Sequence, residues 1–239
     1  RLGQDDRIMR TLSAKAKQQP KRVVFAEADN YKTLRAAQIV KEEGIAHPIL
    51  LGNIHKIESL IKEYDFDLGN VEIIDPIAEM DSARFDEYAD HLYQKRQRRG
   101  ISLSDAKKLM LNRNYFAASM VEFGHADTLI SGLTKNYAST IKPALQVIGA
   151  KKNSRVAGMY MMLTAKGPIF FGDTTVNEDP TPAELAEITI LLNDAVTRLN
   201  ITPRIALLSY SNFGSNDGRV STKVRETAKI FREKAPDSI

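Results

Sequence analysis

The chain has 239 residues, 43% hydrophobic and 27% charged, with no cysteine and a formal charge of +4. That balance suits a globular chain able to bury a substantial core. It excludes a disulfide framework, a thiolate nucleophile and a cysteine-held metal, and a cysteine-free chain fits a cytoplasmic setting.

From the start, Arg7 to Gln19 reads as a polar lead-in helix closed by Pro20. Val23-Val24-Phe25-Ala26 is a buried strand, Tyr31 to Glu43 a helix ending at Gly44, and Pro48 to Leu51 a second strand. Ile54 to Tyr64 is a helix through Ile57, Leu60 and Ile61, and Val71 to Ile74 a third strand. This strand–helix alternation predicts parallel βαβ units in a doubly wound sheet, with right-handed crossovers placing helices on both faces.

One helix is then expected from Ser82 to about Arg99, and a second, capped by Ser104, as far as Phe123. Thr128 to Ile130 is a strand, and Ala138 to Ile148 a helix interrupted near Pro143. Arg155 to Thr164 and Pro168 to Phe171 read as a strand pair with a turn at Lys166-Gly167. Thr181 to Leu199 is a helix with Pro182 in its first turn, Ile205 to Leu208 a strand, and Lys223 to Lys234 the last helix. The polar turn from Gly149 to Ser154 divides the chain into a lead-in (1–20), a first α/β subdomain (21–150) and a second (151–239). The chain opens on Arg1 and stops at Ile239 just after a helical pattern, which is expected of a piece of a longer protein.

The common nucleotide signatures are missing: no G-x-G-x-x-G follows a strand, and there is no G-x-x-x-x-G-K-[ST]. His47, His55, His91 and His125 share no helical face, so they read as structural or solvated, and no metal site is expected. No apolar run reaches bilayer length, so no membrane partner is expected. The basic excess is mild and there is no Trp, which argues against a nucleic-acid surface and for a small phosphate-bearing partner.

Four segments are candidates for holding such a partner. Ser209-Tyr210-Ser211-Asn212-Phe213-Gly214-Ser215 follows an apolar run with hydroxyls, an amide and a glycine. In open α/β sheets ligands sit at strand carboxyl ends, where hydroxyls and free N–H groups cradle phosphate; the plain alternative is a polar loop. Ile130-Ser131-Gly132-Leu133-Thr134-Lys135-Asn136-Tyr137 follows a strand and leads into a helix carrying Lys142, and is either an anion site or a capping cluster. Asp173, just after a strand, is more simply a turn-capping residue than a base. Lys95 to Arg99 is a helix end suited to the dipole, or an arginine fork for phosphate.

Five ordered blocks tie these segments together: Arg96-Gln97-Arg98-Arg99-Gly100-Ile101, Ser131-Gly132, Lys142-Pro143-Ala144-Leu145-Gln146, Asp173-Thr174-Thr175-Val176-Asn177 and Leu208-Ser209-Tyr210-Ser211. In them, from about Pro20 to its end, the chain resembles the phosphate acetyl/butyryl transferase family. Asn30-Tyr31-Lys32, Asn114-Tyr115-Phe116-Ala117-Ala118, Ala157-Gly158-Met159-Tyr160 and Ser209 to Ser215 look most like the transferase-type domain fused behind the catalytic part of bacterial NADP-dependent malic enzymes. The resemblance implies two doubly wound α/β subdomains with a cleft between them, as in isocitrate and isopropylmalate dehydrogenases, and a homodimer. It implies that acetyl-CoA or coenzyme A is the ligand, held by Arg96, Ser131, Thr134, Lys142, Ser209, Ser211, Asn212, Gly214 and Ser215. NADP and a divalent metal belong to the oxidoreductase part of such an enzyme, and the residues the family associates with catalysis are expected beyond Ile239.

Free-standing transferases of the family join coenzyme A to the acyl group of acetyl phosphate. They usually carry arginine where this chain has Lys142, and Thr-Lys where it has Asn212-Phe213. Lysine keeps the charge and loses the planar fork, while Phe213 removes a cation. Binding survives such changes better than transition-state stabilisation, which depends on differential contacts. The expectation is therefore acetyl-CoA sensing, with an active phosphate acetyltransferase, a purely structural dimerisation module and an unrelated phosphate-ligand enzyme as alternatives.

Overall fold

The computed structural model describes residues 7–152, 154–211 and 215–236. It separates into two compact units, Arg1–Gly149 and Ala150–Ile239.

The first unit opens with helix α1 (Arg7–Gln18) and is built on four parallel strands: β1 (Lys21–Phe25), β2 (Ala46–Leu51), β3 (Glu72–Ile74) and β4 (Thr128–Ile130), in the order β3-β2-β1-β4. In register, Val24 stands opposite Ile49 on one side and Leu129 on the other. Side chains alternate across a pleated strand, so this sheet builds two cores. Val23, Phe25 and Leu50 share one with Leu34 and Ala37 of α2 (Tyr31–Glu42) and Ile57 of α3 (Ile54–Glu63). Val24, Ala26, Ile49, Leu51 and Ile74 share the other with four further helices, α4 (Ala83–Arg96), α5 (Leu103–Met110), α6 (Arg113–Glu122) and α7 (Tyr137–Val147). Helices on both faces explain why the strands read as continuous apolar runs.

Asparagine or serine side chains start these helices: Asn30, Asn53, Ser82, Ser102, Asn112 and Asn136 each accept an N–H from the first turn. The expected helix from Ser104 to Phe123 is in fact two. Ser102, not Ser104, caps α5 in a capping box with Asp105. Asn112 then takes the Asn114 N–H with its own side chain and starts α6, the local competition with helix bonds that asparagine offers. Helix α4 likewise ends at Arg96, and Gln97–Arg99 form a separate 3-10 turn. Pro143 does not interrupt α7, because its ring is buried within the helix and packing offsets the missing N–H.

The second unit departs from the doubly wound expectation. Its described sheet is an antiparallel hairpin of β5 (Met159–Thr164) and β6 (Gly167–Gly172). Two helices accompany it, α8 (Pro182–Thr197), started by a Thr181–Glu184 capping box, and α9 (Arg219–Lys234). Ile188 and Val196 of α8 and Phe231 of α9 are buried. Ile205 to Leu208 forms no strand. From Ile201 to Tyr210 the residues alternate between half-buried and exposed, and none joins a ladder among the described residues. Alternating exposure marks extended chain, but a strand also needs a hydrogen-bonded neighbour, which no local pattern supplies.

Candidate functional site

Strand β1 ends by delivering Ala26 and Glu27 to the carboxyl edge of the sheet, where Ala26 N–H donates to Ile130 O at 3.0 Å and keeps β1 beside β4. Glu27 is only 6% exposed. The loop after β4 closes on its carboxylate. The Gly132, Leu133 and Thr134 backbone N–H groups donate to it at 2.6, 3.1 and 2.7 Å. The Thr134 hydroxyl donates at 2.5 Å and Ser131 Oγ lies at 3.0 Å. Gly132, at φ 102°, makes this curl possible without side-chain strain. Burial alone pushes the Glu27 carboxyl up; the Thr134 hydroxyl, the two N–H groups of Gly132 and Thr134 and the Ser131 hydroxyl outweigh it and hold the group below its ordinary value.

A cavity of about 360 Å³ opens beside this carboxylate, lined by Glu27, Asp29, Lys56, Arg113, Asn114 and Lys135 among others. It lies at the carboxyl ends of parallel strands, next to β1, where the chain departs to β2 on one side and β4 pairs on the other. That is the position at which open α/β sheets bind ligands. Its charges are largely paired. Arg113 grips Asp29 through two bonds of 2.5 and 2.8 Å, and Lys56 Nζ stands 3.5 Å from the same carboxylate. The Arg113 bond, against the opposing effect of burial, holds Asp29 low. Asn114, 6% exposed, sets its Oδ1 2.7 Å from Ser131 Oγ. Lys135 is exposed and has no hydrogen bond or ion pair among the described residues.

The expected site residues therefore fall into different circumstances. Ser131 and Thr134 do come together at a strand end, but around an internal carboxylate, which takes the loop's N–H groups. Arg96 faces helix α7: its Nε donates to Gln146 O at 2.7 Å and Nη2 to Leu145 O at 2.5 Å. Lys95 Nζ reaches Val147 O at 2.5 Å and Ile148 O at 3.0 Å. The two cations thus serve the carbonyl end of α7, the arrangement its dipole favours. Lys142 is exposed on α7, and its side chain has no hydrogen bond or ion pair among the described residues.

In the second unit Ser211 N–H donates to Ser209 Oγ at 3.1 Å, the Ser211 and Ser215 hydroxyls are 3.4 Å apart, and Asn216 N–H donates to Ser211 Oγ at 3.2 Å. Asn212 and Gly214, with Phe213, lie outside the described residues. Asp173 organises its own loop, accepting N–H groups from Gly158, Thr175, Val176 and Asn177 at 2.7 to 3.2 Å. Among the described residues no cluster of three or more histidine or acidic side chains could hold a metal ion, and no helix is long and apolar enough to cross a membrane.

Sequence reasoning passed over Glu27, Asp29, Lys56 and Arg113, and it quoted Asn114 and Lys135 within longer segments without singling them out. The available signal was Ala26-Glu27-Ala28-Asp29, two carboxylates directly behind a buried parallel strand.

Fold and cavity define a parallel α/β protein with a polar crevice at its strand ends. The family model described as phosphate acetyl/butaryl transferase matches residues 7–239, and the chain belongs to that family. It is 37% identical, over 96% of its length, to the NADP-dependent malic enzyme of Salmonella typhimurium, of which it covers 31%. It is 36% identical, again over 96% of its length, to the phosphate acetyltransferase of Helicobacter pylori, of which it covers 44%. It thus spans less than half of either relative. Among solved structures, a phosphotransacetylase from Streptococcus pyogenes superposes with a TM-score of 0.85 at 31% identity, over 96% of this chain and 70% of that one.

Proposed function

We propose that this chain is an acetyl-CoA-binding domain that regulates an attached NADP-dependent malic enzyme. The observation that carries the reading is how the charge is spent. Arg96 is engaged with helix carbonyls, Arg113 and Lys56 with Asp29, and the N–H groups of the β4–α7 loop with Glu27. Lys135, which lines the crevice, and Lys142, on α7, are exposed cations able to attract the phosphates of a coenzyme. Acyl transfer to phosphate asks for more: donors fixed on a developing oxyanion and on the leaving group, each worth roughly 3 kcal/mol of barrier.

Ligand regulation requires unequal affinity for two states of the longer protein. NADP and a divalent metal would be bound by its oxidoreductase part. A homodimer, a cytoplasmic location and the finer likeness to isocitrate and isopropylmalate dehydrogenases belong to the same proposal.

A second reading, an active phosphate acetyltransferase making acetyl phosphate and coenzyme A from acetyl-CoA and phosphate, is favoured by the 36% identity to a named phosphate acetyltransferase. Calorimetry with acetyl-CoA tests the first: saturable binding is expected, and its absence would refute it. Phosphate-dependent release of coenzyme A, followed with a thiol reagent, would move the conclusion to the second.

A further inference from the structure

Glu27 has so far figured only as the group that occupies the loop N–H groups, although five donors converge on it at the end of β1. Three consecutive N–H groups, 132 to 134, and the Thr134 hydroxyl converge on its two oxygens. Such a nest of successive N–H groups is a typical receptor for a bound anion. Here the anion is part of the protein and comes from β1, more than a hundred residues away in sequence. No ion pair holds Glu27 among the described residues, so leaving the nest would strand a buried charge. A ligand phosphate therefore has no access to these N–H groups while Glu27 stays.

We propose that Glu27 is a positioning residue for the acyl-CoA site: its carboxylate ties the Ser131–Thr134 loop to the end of β1 and occupies the nest, so that ligand phosphates are directed to Lys135, which lines the same cavity. The inference rests on the acyl-CoA reading above. Its consequence for Thr134 is specific. With the hydroxyl proton given to Glu27, the oxygen presents only lone pairs to a ligand, which suits an amide N–H better than a phosphate oxygen.

The test removes the internal anion and offers a free one. Acetyl-CoA binding is measured by calorimetry, and melting by calorimetric scanning, for the wild-type chain and for Glu27→Ala, with formate at about 0.1 M or chloride at equal ionic strength. Glu27→Ala is expected to bind acetyl-CoA at least tenfold more weakly and to melt several degrees lower. Formate, entering the vacated nest, is expected to restore part of both, while chloride does neither and the wild type is indifferent. Should Glu27→Ala not fold, Glu27→Gln, nearly isosteric, is expected to keep the fold and lose the affinity. A variant that binds as the wild type does overturns the proposal alone, as does a loss that formate leaves untouched. A wild-type chain that binds no acetyl-CoA overturns the functional reading and this inference with it.

Discussion

Two carboxylates, one in each unit, solve the same problem by different routes. Glu27 and Asp173 both sit at the end of a strand, both accept several backbone N–H groups, and both are held below their ordinary pKa although burial pushes each up. The donors of Asp173 come from residues two to four places on and from Gly158, fifteen places back. Those of Glu27 come from residues 105 to 107 places on, across the β1–β4 pair. Asp173 therefore organises a turn, whereas Glu27 joins two strands that the chain brings together only when the sheet forms. The same acceptor chemistry is a local device in one unit and a tertiary one in the other.

Neutralising each carboxylate puts that difference to the test, and the largest effect is expected at Glu27. Glu27→Gln sets an NH2 group against a nest of donors in a buried place. A loss of about 3 kcal/mol is expected, the scale found when one partner of a buried charged network is removed. Asp173→Asn leaves its donors in a half-exposed loop that water can reach, and about 1 kcal/mol is expected. Urea unfolding followed by far-UV circular dichroism measures both. Equal losses would erase the distinction between tertiary and local roles.

The same difference explains what the sequence shows and what it hides. Asp173 is readable as a turn-capping residue because its partners lie within reach of a local pattern. The parallel sheet of the first unit is readable too, since Val23 to Ala26 and Pro48 to Leu51 are apolar runs punctuated by Gly44 and Gly52. Ser131 and Thr134 read as candidates, but their real partner does not, because nothing near position 131 announces Glu27. Lys95 and Arg96 look like a free basic run for a related reason: the carbonyls they serve belong to α7, about fifty residues on. Ile205 to Leu208 fails in the opposite direction. Its alternation is genuine, and its ladder partner is not a local property.

Acid should weaken the chain through these groups. Each carboxyl is depressed in the folded state, so between its ordinary value, 4.5 for Glu27 and 3.8 for Asp173, and its lower folded value the unfolded chain binds more protons. The stability each lends is complete above the ordinary value and is lost as pH falls through the folded one. The urea midpoint is expected to fall between pH 6 and pH 3, and to fall less in Glu27→Gln than in the wild type. Identical slopes for the two chains would mean that Glu27 does not titrate as the buried nest requires.

The smallest expected effect on stability is at Lys142, and it separates holding the fold from holding a ligand. Arg96 and Lys142 are both cations near one helix, yet Arg96 bonds two of its terminal carbonyls and Lys142 bonds nothing among the described residues. Lys142→Ala should therefore change unfolding free energy by less than about 0.5 kcal/mol, the range of an ordinary surface substitution. Arg96→Ala should cost about 1 to 2 kcal/mol by uncovering the end of α7. For acetyl-CoA affinity the ranking is expected to invert. An exposed lysine contributes through charge, so the Lys142→Ala loss should be greatest at low salt and shrink as ionic strength rises and screening shortens. If Lys142→Ala lowered stability as much as Arg96→Ala while leaving affinity alone, Lys142 would be a structural residue, and the ligand phosphates would need another cation.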